Sequence, residues 1–296
     1  MTLAAKGKTQ KLILGTVQFG LNYGISNQYG QLQQQEIKQI LHEAYRASIR
    51  TLDTAAAYGE SEQNIGDALQ SDSAEFCIIS KFPPDRPQTS IRQALEESLE
   101  RLGIARLHGY LLHSYSTYQQ NPEVLNELQA VKALGLVDKI GISLYHPQEA
   151  EELLAQQAPI DIVQFPYSIF DRRFEEVLPR LRQQGMEAHV RSVYLQGLYF
   201  LAPDKLPAYF APVKAKLTQL QQLAHDSNLP LAALLLGFAL ANPDITNVVI
   251  GVESLETLQQ NVNYSTTNLN KTLLKQLYQF KEENEAILLP YHWPNT

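Results

Sequence analysis

Short apolar runs alternate with longer amphipathic stretches along this chain. The apolar runs fall at 12–17, 50–53, 76–82, 107–113, 139–143, 160–165, 188–193 and 246–251. They are near-continuously hydrophobic, the pattern of parallel strands covered on both faces. Between them, apolar residues recur at spacings of three and four. Ile37, Ile40, Leu41 and Ala44 follow this rule. So do Ile91, Leu95, Leu99 and Leu102, with Glu96, Glu97, Glu100 and Arg101 on the outer face. Val124, Leu128, Val131 and Leu134 continue it, then Leu178 and Leu181. Gly103, Gly135 and Gly185 each stand where a left-handed residue closes such a helix.

Eight strands alternating with helices over 296 residues, with no break in composition, predict an α/β chain folded as a single (β/α)8 TIM barrel over 1–296. A doubly wound dinucleotide-binding sheet is the rival. No strand is followed by G-x-G-x-x-G, and there is no Walker A loop. Three segments depart from the plain barrel. A Gly/Asn/Tyr-rich loop covers 19–32, an aromatic insertion covers 199–213, and the tail 286–296 carries Tyr291, His292 and Trp293. At a barrel rim all three are candidate pocket walls. Their plainer reading is surface loop or frayed terminus.

Charge and composition narrow the classes. The net charge is −7, and no basic stripe suited to nucleic acid or polybasic patch suited to a membrane surface is present. No apolar run approaches the length of a membrane span. Residues 1–11 hold three lysines but no apolar segment of the signal-peptide kind, and read as a loose lead-in. The one cysteine, Cys77, lies in an apolar run and reads as a buried, inert thiol of a cytoplasmic protein. The pattern sets no oligomeric state.

The polar residues that end the strands carry the chemistry. Asp53 ends the second, with Tyr58 just beyond; Lys81 ends the third, His113 the fourth and Ser143 the fifth, while Gln164 lies in the sixth. In an eight-stranded barrel these ends converge on one mouth. A free phenol titrates near pH 10, and a neighbouring ammonium lowers that. A shift of two to three pH units asks for roughly 3–4 kcal/mol, within reach of a desolvated Lys–Tyr contact held by a carboxylate. Asp53 keeps Lys81 charged, and His113 orients a carbonyl oxygen as a neutral donor. Taken singly, each residue has a structural reading: a salt bridge, a rim aromatic, a core histidine. The four together point to a general acid. Metal binding is poorly supported, since the seven histidines are scattered. A serine hydrolase is too, since G-x-S-x-G is absent.

From Leu14-Gly15-Thr16-Val17-Gln18-Phe19-Gly20 to about Val262, the chain resembles the aldo-keto reductase superfamily. The most specific match is Asp53-Thr54-Ala55-x-x-Tyr58-Gly59-x-x-Glu62, then Ser80-Lys81, then Leu111-Leu112-His113. The opening motif, with Tyr23-Gly24-Ile25, is similar to a less characterised bacterial branch. The resemblance implies NAD(P)H-dependent reduction of an aldehyde or ketone by an Asp53, Tyr58, Lys81, His113 tetrad. It also implies a cofactor lying across the barrel mouth. Ser143 and Gln164 then hold the carboxamide and Tyr194 stacks on the nicotinamide. Gly15, Thr16, Asp53, Gln196, Gly197 and Leu198 flank it. Gly251, Ser254, Thr257, Gln260 and Asn261 take the adenosine half. Leu144 replaces the asparagine common after the serine. The adenosine stretch has Glu253 and Glu256, with Thr257 at the place of a frequent basic residue. The family prior nevertheless favours NADP(H) modestly over NAD(H). Two alternatives stand beside catalysis of carbonyl reduction. One is a regulatory sensor of cofactor occupancy. The other is a Schiff-base lyase using Lys81, disfavoured by the nearby carboxylate.

Overall fold

The structure, a computed structural model, describes residues 7–25, 27, 30–70, 74–84 and 89–294. Eight parallel strands close into a barrel in sequence order. They are β1 (Leu12–Gly15), β2 (Thr51–Asp53), β3 (Cys77–Phe82), β4 (Leu107–Leu112), β5 (Val137–Ser143), β6 (Ile162–Pro166), β7 (Glu187–Arg191) and β8 (Asn247–Gly251). Each lies on one predicted apolar run, and no boundary moves by more than two residues. Leu14 pairs with Leu52 on one side and Ile250 on the other, which closes the ring.

The wall helices follow the predicted periodicity. They are α1 (Gln34–Arg46), α2 (Ser61–Leu69), α3 (Ile91–Leu102), α4 (Val124–Ala133), α5 (Pro147–Ala155), α6 (Leu178–Gln183), α7 (Lys214–Asp226), α8 (Leu231–Ala241) and α9 (Leu255–Ser265). The buried residues of α1 are Ile37, Ile40, Leu41 and Ala44, its expected apolar face. α3 starts at Ser90, whose hydroxyl accepts from the Gln93 amide, and stops at Gly103 in the left-handed region (φ 66°). Among the described residues no single helix is long and apolar enough to cross a membrane.

Three expectations fail. Cys77 is exposed, because it is the first residue of β3, at the end of the barrel away from the strand C-termini. Leu134 is 60% exposed, because α4 ends at Ala133 and the capping residue turns away from the packed face. Of the lead-in 1–11, residues 1–6 lie outside the described residues, as do the last two of the tail. Lys8–Lys11 are not loose but form a 3-10 turn. Lys8 donates to the Thr267 carbonyl at 2.9 Å, and the Thr9 hydroxyl lies 2.9 Å from that of Ser265. The rest of the tail is docked. Trp293 is buried against Phe210, with ring centroids 4.8 Å apart, and its indole N–H donates to the Ile287 carbonyl at 3.2 Å.

Strand alternation builds the site. Odd-numbered positions of β1, β3, β4, β7 and β8 point inward and even-numbered ones pack on the helices; β6 reverses that parity. Ile13, Ile79, Leu111 and Ile162, with Val249 against them, form a separate apolar plug inside the barrel. The next inward position on each strand is Gly15, Lys81, His113, Gln164 or Gly251. The plug thus forms the floor on which the polar groups stand. On the opposite side, Lys139 bonds Glu187 at 2.8 Å, and His189 contacts Glu187 at 3.2 Å.

The loop bearing Tyr58 rests directly on the turn after β1. A Cβ on Gly20 would lie 1.8 Å from the Tyr58 carbonyl oxygen, and one on Gly59 would lie 2.5 Å from that of Gly20. Gly59 is also left-handed (φ 55°), which suits glycine. Gly20→Ala is therefore expected to cost about 3 kcal/mol, by forcing the two loops apart. The drop in thermal midpoint measures it; an unchanged midpoint contradicts the close approach.

Candidate active site

Asp53, at the end of β2, is 3% exposed, and Lys81, on β3, is wholly buried. The Lys81 ammonium donates to Asp53 Oδ1 at 2.6 Å and to the Thr54 carbonyl at 2.8 Å. The other Asp53 oxygen accepts from the Gln164 amide at 2.7 Å. Asp53 thus links β3 to β6 across the barrel. Burial opposes the charge on Lys81, but Asp53 and Tyr58 overcome it and hold the ammonium above its ordinary range. A pair this deep is not a surface ion pair: removing either partner strands a charge at a cost of about 3–5 kcal/mol.

The Lys81 ammonium lies 5.0 Å from the centre of the Tyr58 ring and acts electrostatically on its hydroxyl. The phenol was expected to titrate lower than usual. It is raised instead, because burial outweighs the pull of Lys81 and Asp53 adds to the rise. The group standing at the mouth is therefore a neutral phenol with its proton in place. His113, just past β4, meets Tyr58 edge to face, with centroids 5.6 Å apart. Burial, with Lys81 and Arg191 adding to it, lowers His113 to about 3, so the ring is neutral at ordinary pH. Among the described residues its Nδ1 has no hydrogen-bond partner.

Asp53, Tyr58 and His113 open into a cleft of about 380 Å³ at the C-terminal mouth. Of the other expected residues, Gly15, Thr16, Ser143, Gln164, Tyr194, Gln196, Gly197, Gly251 and Thr257 line it. Lys81 lies one layer behind. Leu198 is buried in the main core. Ser254 caps α9, accepting from the Thr257 amide at 3.1 Å. Gln260 is exposed and donates to Glu256. Asn261 is buried and accepts from the Tyr194 hydroxyl, which ties Tyr194 toward α9. Of the insertion 199–213, Phe200 lines the cleft, while Tyr199 and Phe210 are fully buried. From the tail, Tyr291 reaches the rim and packs on Tyr145 at 5.1 Å.

Other lining residues come from outside the expected set: Gln18, Tyr23, Tyr145, Glu253 and Arg191 among them. Arg191 ends β7 and points inward. Its guanidinium lies 4.3 Å from the centre of the Tyr145 ring and donates to the Leu144 carbonyl at 3.3 Å. Polar residues at strand ends mark this mouth, and the same rule applied to the run 188–193 finds Arg191. The loop after β7 is tied to the loop after β1. Gln196 donates to the Tyr23 hydroxyl at 2.7 Å, and the Ile25 amide donates to the Gln196 carbonyl at 3.0 Å. Among the described residues no cluster of His, Cys, Asp or Glu is able to hold a metal.

The model of the Aldo/keto reductase family matches residues 11–282. The chain belongs to this family. Its relatives are oxidoreductases, and so is this aldo/keto reductase. L-galactose dehydrogenase of Arabidopsis thaliana is 26% identical over 318 residues, covering 99% of this chain and 97% of its own. The NADH-specific methylglyoxal reductase of Escherichia coli is 26% identical, covering 84% and 89%. Among solved structures, the holo form of an aldo-keto reductase from Bacillus halodurans superposes with a TM-score of 0.75. It is 24% identical and covers 93% of this chain and 94% of that one. This match concerns the fold.

The neutral state of His113 has a measurable signature. Its folded value, about 3, lies below the ordinary value of 6.5. Between these limits the unfolded chain takes up the proton and the folded chain does not. Stability is therefore full above pH 6.5 and falls as the pH drops toward 3. In a plot of unfolding free energy against pH, His113→Gln should flatten that acid limb by about 1.4 kcal/mol per pH unit. An unchanged limb means that His113 is charged in the folded state.

Proposed function

We propose that this aldo/keto reductase reduces an aldehyde or ketone to the alcohol with NAD(P)H, and that Tyr58 is the general acid. The observation that carries the reading is the Lys81 ammonium, buried between Asp53 and Tyr58 beside a neutral histidine at one end of an open cleft. The donor set suits a nicotinamide dinucleotide. Ser143 and Gln164 offer a hydroxyl and an amide side by side on the paired positions of β5 and β6. Gly15 and Gly251 offer no side chain where a flat ligand has to pass. At Gly251 an added Cβ would crowd the Gln18 amide at 3.1 Å. The bound cofactor supplies a hydride to the carbonyl carbon.

The chain supplies the rest. His113, uncharged, aims the carbonyl oxygen by hydrogen bonding without competing for the proton. Tyr58 gives its proton to that oxygen as negative charge develops on it. Lys81 stabilises the phenolate left behind, and Asp53 keeps Lys81 charged and in place. Gln164, donating to Asp53, fixes the carboxylate on its far side. A charged lysine is a poor amine nucleophile, which argues against Schiff-base chemistry here. A complete tetrad favours turnover over sensing. The substrate is a small carbonyl compound whose walls include Tyr23, Tyr145 and Phe200. The resemblance leans toward NADP(H), whereas the Escherichia coli relative is named for NADH, so the residues at the far end of the cleft decide the choice.

Tyr58→Phe keeps the ring and removes the proton. Carbonyl reduction, assayed on a panel of aldehydes and ketones with both cofactors, should fall by at least about a hundredfold. Nicotinamide binding, followed by fluorescence, should stay within about twofold of the parent. Turnover retained in this variant would refute the assignment of the acid.

A further inference from the structure

The cleft has two chemically different ends. One is the tetrad. The other is formed where β8 ends and α9 begins, by Gly251, Glu253 and Thr257. Hydride has to reach the carbon whose oxygen Tyr58 protonates. A nicotinamide dinucleotide in this cleft therefore keeps its reactive ring by Tyr58 and sends its adenosine ribose to the β8–α9 end. The charges at that end are then the ones that meet the group distinguishing the two cofactors.

Glu253 is half-buried and lines the cleft there. Among the described residues it forms no ion pair, and burial alone raises its carboxyl above the ordinary range. Among the described residues Arg191 is the one charged basic side chain lining the cleft, and it belongs to the other end. It packs on Tyr145 and acts electrostatically on Tyr58 and His113. The hydroxyls near Glu253 are occupied. Ser254 Oγ and Thr257 Oγ1 bond each other at 2.9 Å, and Ser254 also accepts from the Thr257 amide. A 2′-phosphate placed here brings close to two negative charges against a carboxylate, with no basic side chain among the described residues lining that end of the cleft to offset them. A ribose with both hydroxyls free donates to that carboxylate instead.

We propose that Glu253 makes this enzyme select NADH over NADPH, by accepting from the ribose hydroxyls and repelling a 2′-phosphate. The proposal rests on the reading that the cleft holds a nicotinamide dinucleotide, and it goes against the preference implied by the family resemblance. A structural role for Glu253 is the rival. A carboxylate just before the N-terminus of α9 stabilises the helix by its dipole alone. That role changes thermal stability on substitution and leaves the ratio of the two affinities untouched.

The test titrates NADH and NADPH separately into the wild type, Glu253→Gln and Glu253→Arg, following nicotinamide fluorescence, with the thermal midpoint of each protein as a control. The wild type should bind NADH at least about tenfold more tightly than NADPH. Glu253→Gln should bring the ratio close to one, chiefly by tightening NADPH, and Glu253→Arg should reverse it. Equal or tighter binding of NADPH by the wild type overturns the proposal and leaves the nicotinamide reading standing. An unaltered ratio in Glu253→Gln does the same, whatever happens to its midpoint. Binding of neither nucleotide overturns both.

Discussion

An ammonium and a carboxylate that water does not reach hold the mouth of this barrel together. Lys81 and Asp53 meet at 2.6 Å, and both are almost fully buried. Neither charge is tolerable there alone. Their pairing fixes the top of β2 against β3, and the Gln164 amide extends it to β6. The pair acts together with burial on the groups around it. Lys81 is held charged, His113 is held neutral, and Tyr58 keeps its proton while having a cation ready for the phenolate. In the proposed mechanism the stability of the mouth and its chemistry thus depend on the same interaction.

The barrel supplies the geometry that makes such a pair affordable. A plug of Ile13, Ile79, Leu111 and Ile162 fills the interior below it. Because strand side chains alternate, the residue two positions beyond the plug also faces inward, and on each strand it lines the mouth or lies just behind its lining. Lys81, His113 and Gln164 reach the site by this rule. Tyr58 does not stand on a strand. It is carried by a loop pressed onto the turn after β1, where Gly20 and Gly59 allow the two backbones to touch.

Much of this is legible in the sequence, for a physical reason. Parallel strands covered on both faces must be continuously apolar, so the eight runs appear and their ends can be read. A charged or polar residue at the end of such a run is costly unless it has work to do, which singles out Asp53, Lys81 and His113. What was not legible depends on contacts between distant segments. The raised titration of Tyr58 comes from the depth of burial that the surrounding loops impose, and its neighbours in sequence do not report that depth. Tyr23 and Phe200 lie in segments whose composition marks them as candidate walls, but Tyr145 reaches the cleft on a loop whose path is set by tertiary contacts. Leu198 follows directly on the cleft-lining Gln196 and Gly197 yet turns into the core. Cys77 lies in an apolar run but at the open end of its strand, where hydrophobic neighbours do not guarantee cover.

The most direct test removes both charges at once, so that neither is left unpaired. Asp53→Asn combined with Lys81→Met preserves approximate shape and removes the ammonium from beside Tyr58. The measurement is single-turnover carbonyl reduction at saturating NAD(P)H. The account predicts a folded protein that still binds the nucleotide and reduces at least about a hundredfold more slowly. A double variant that reduces at the parent rate would contradict it.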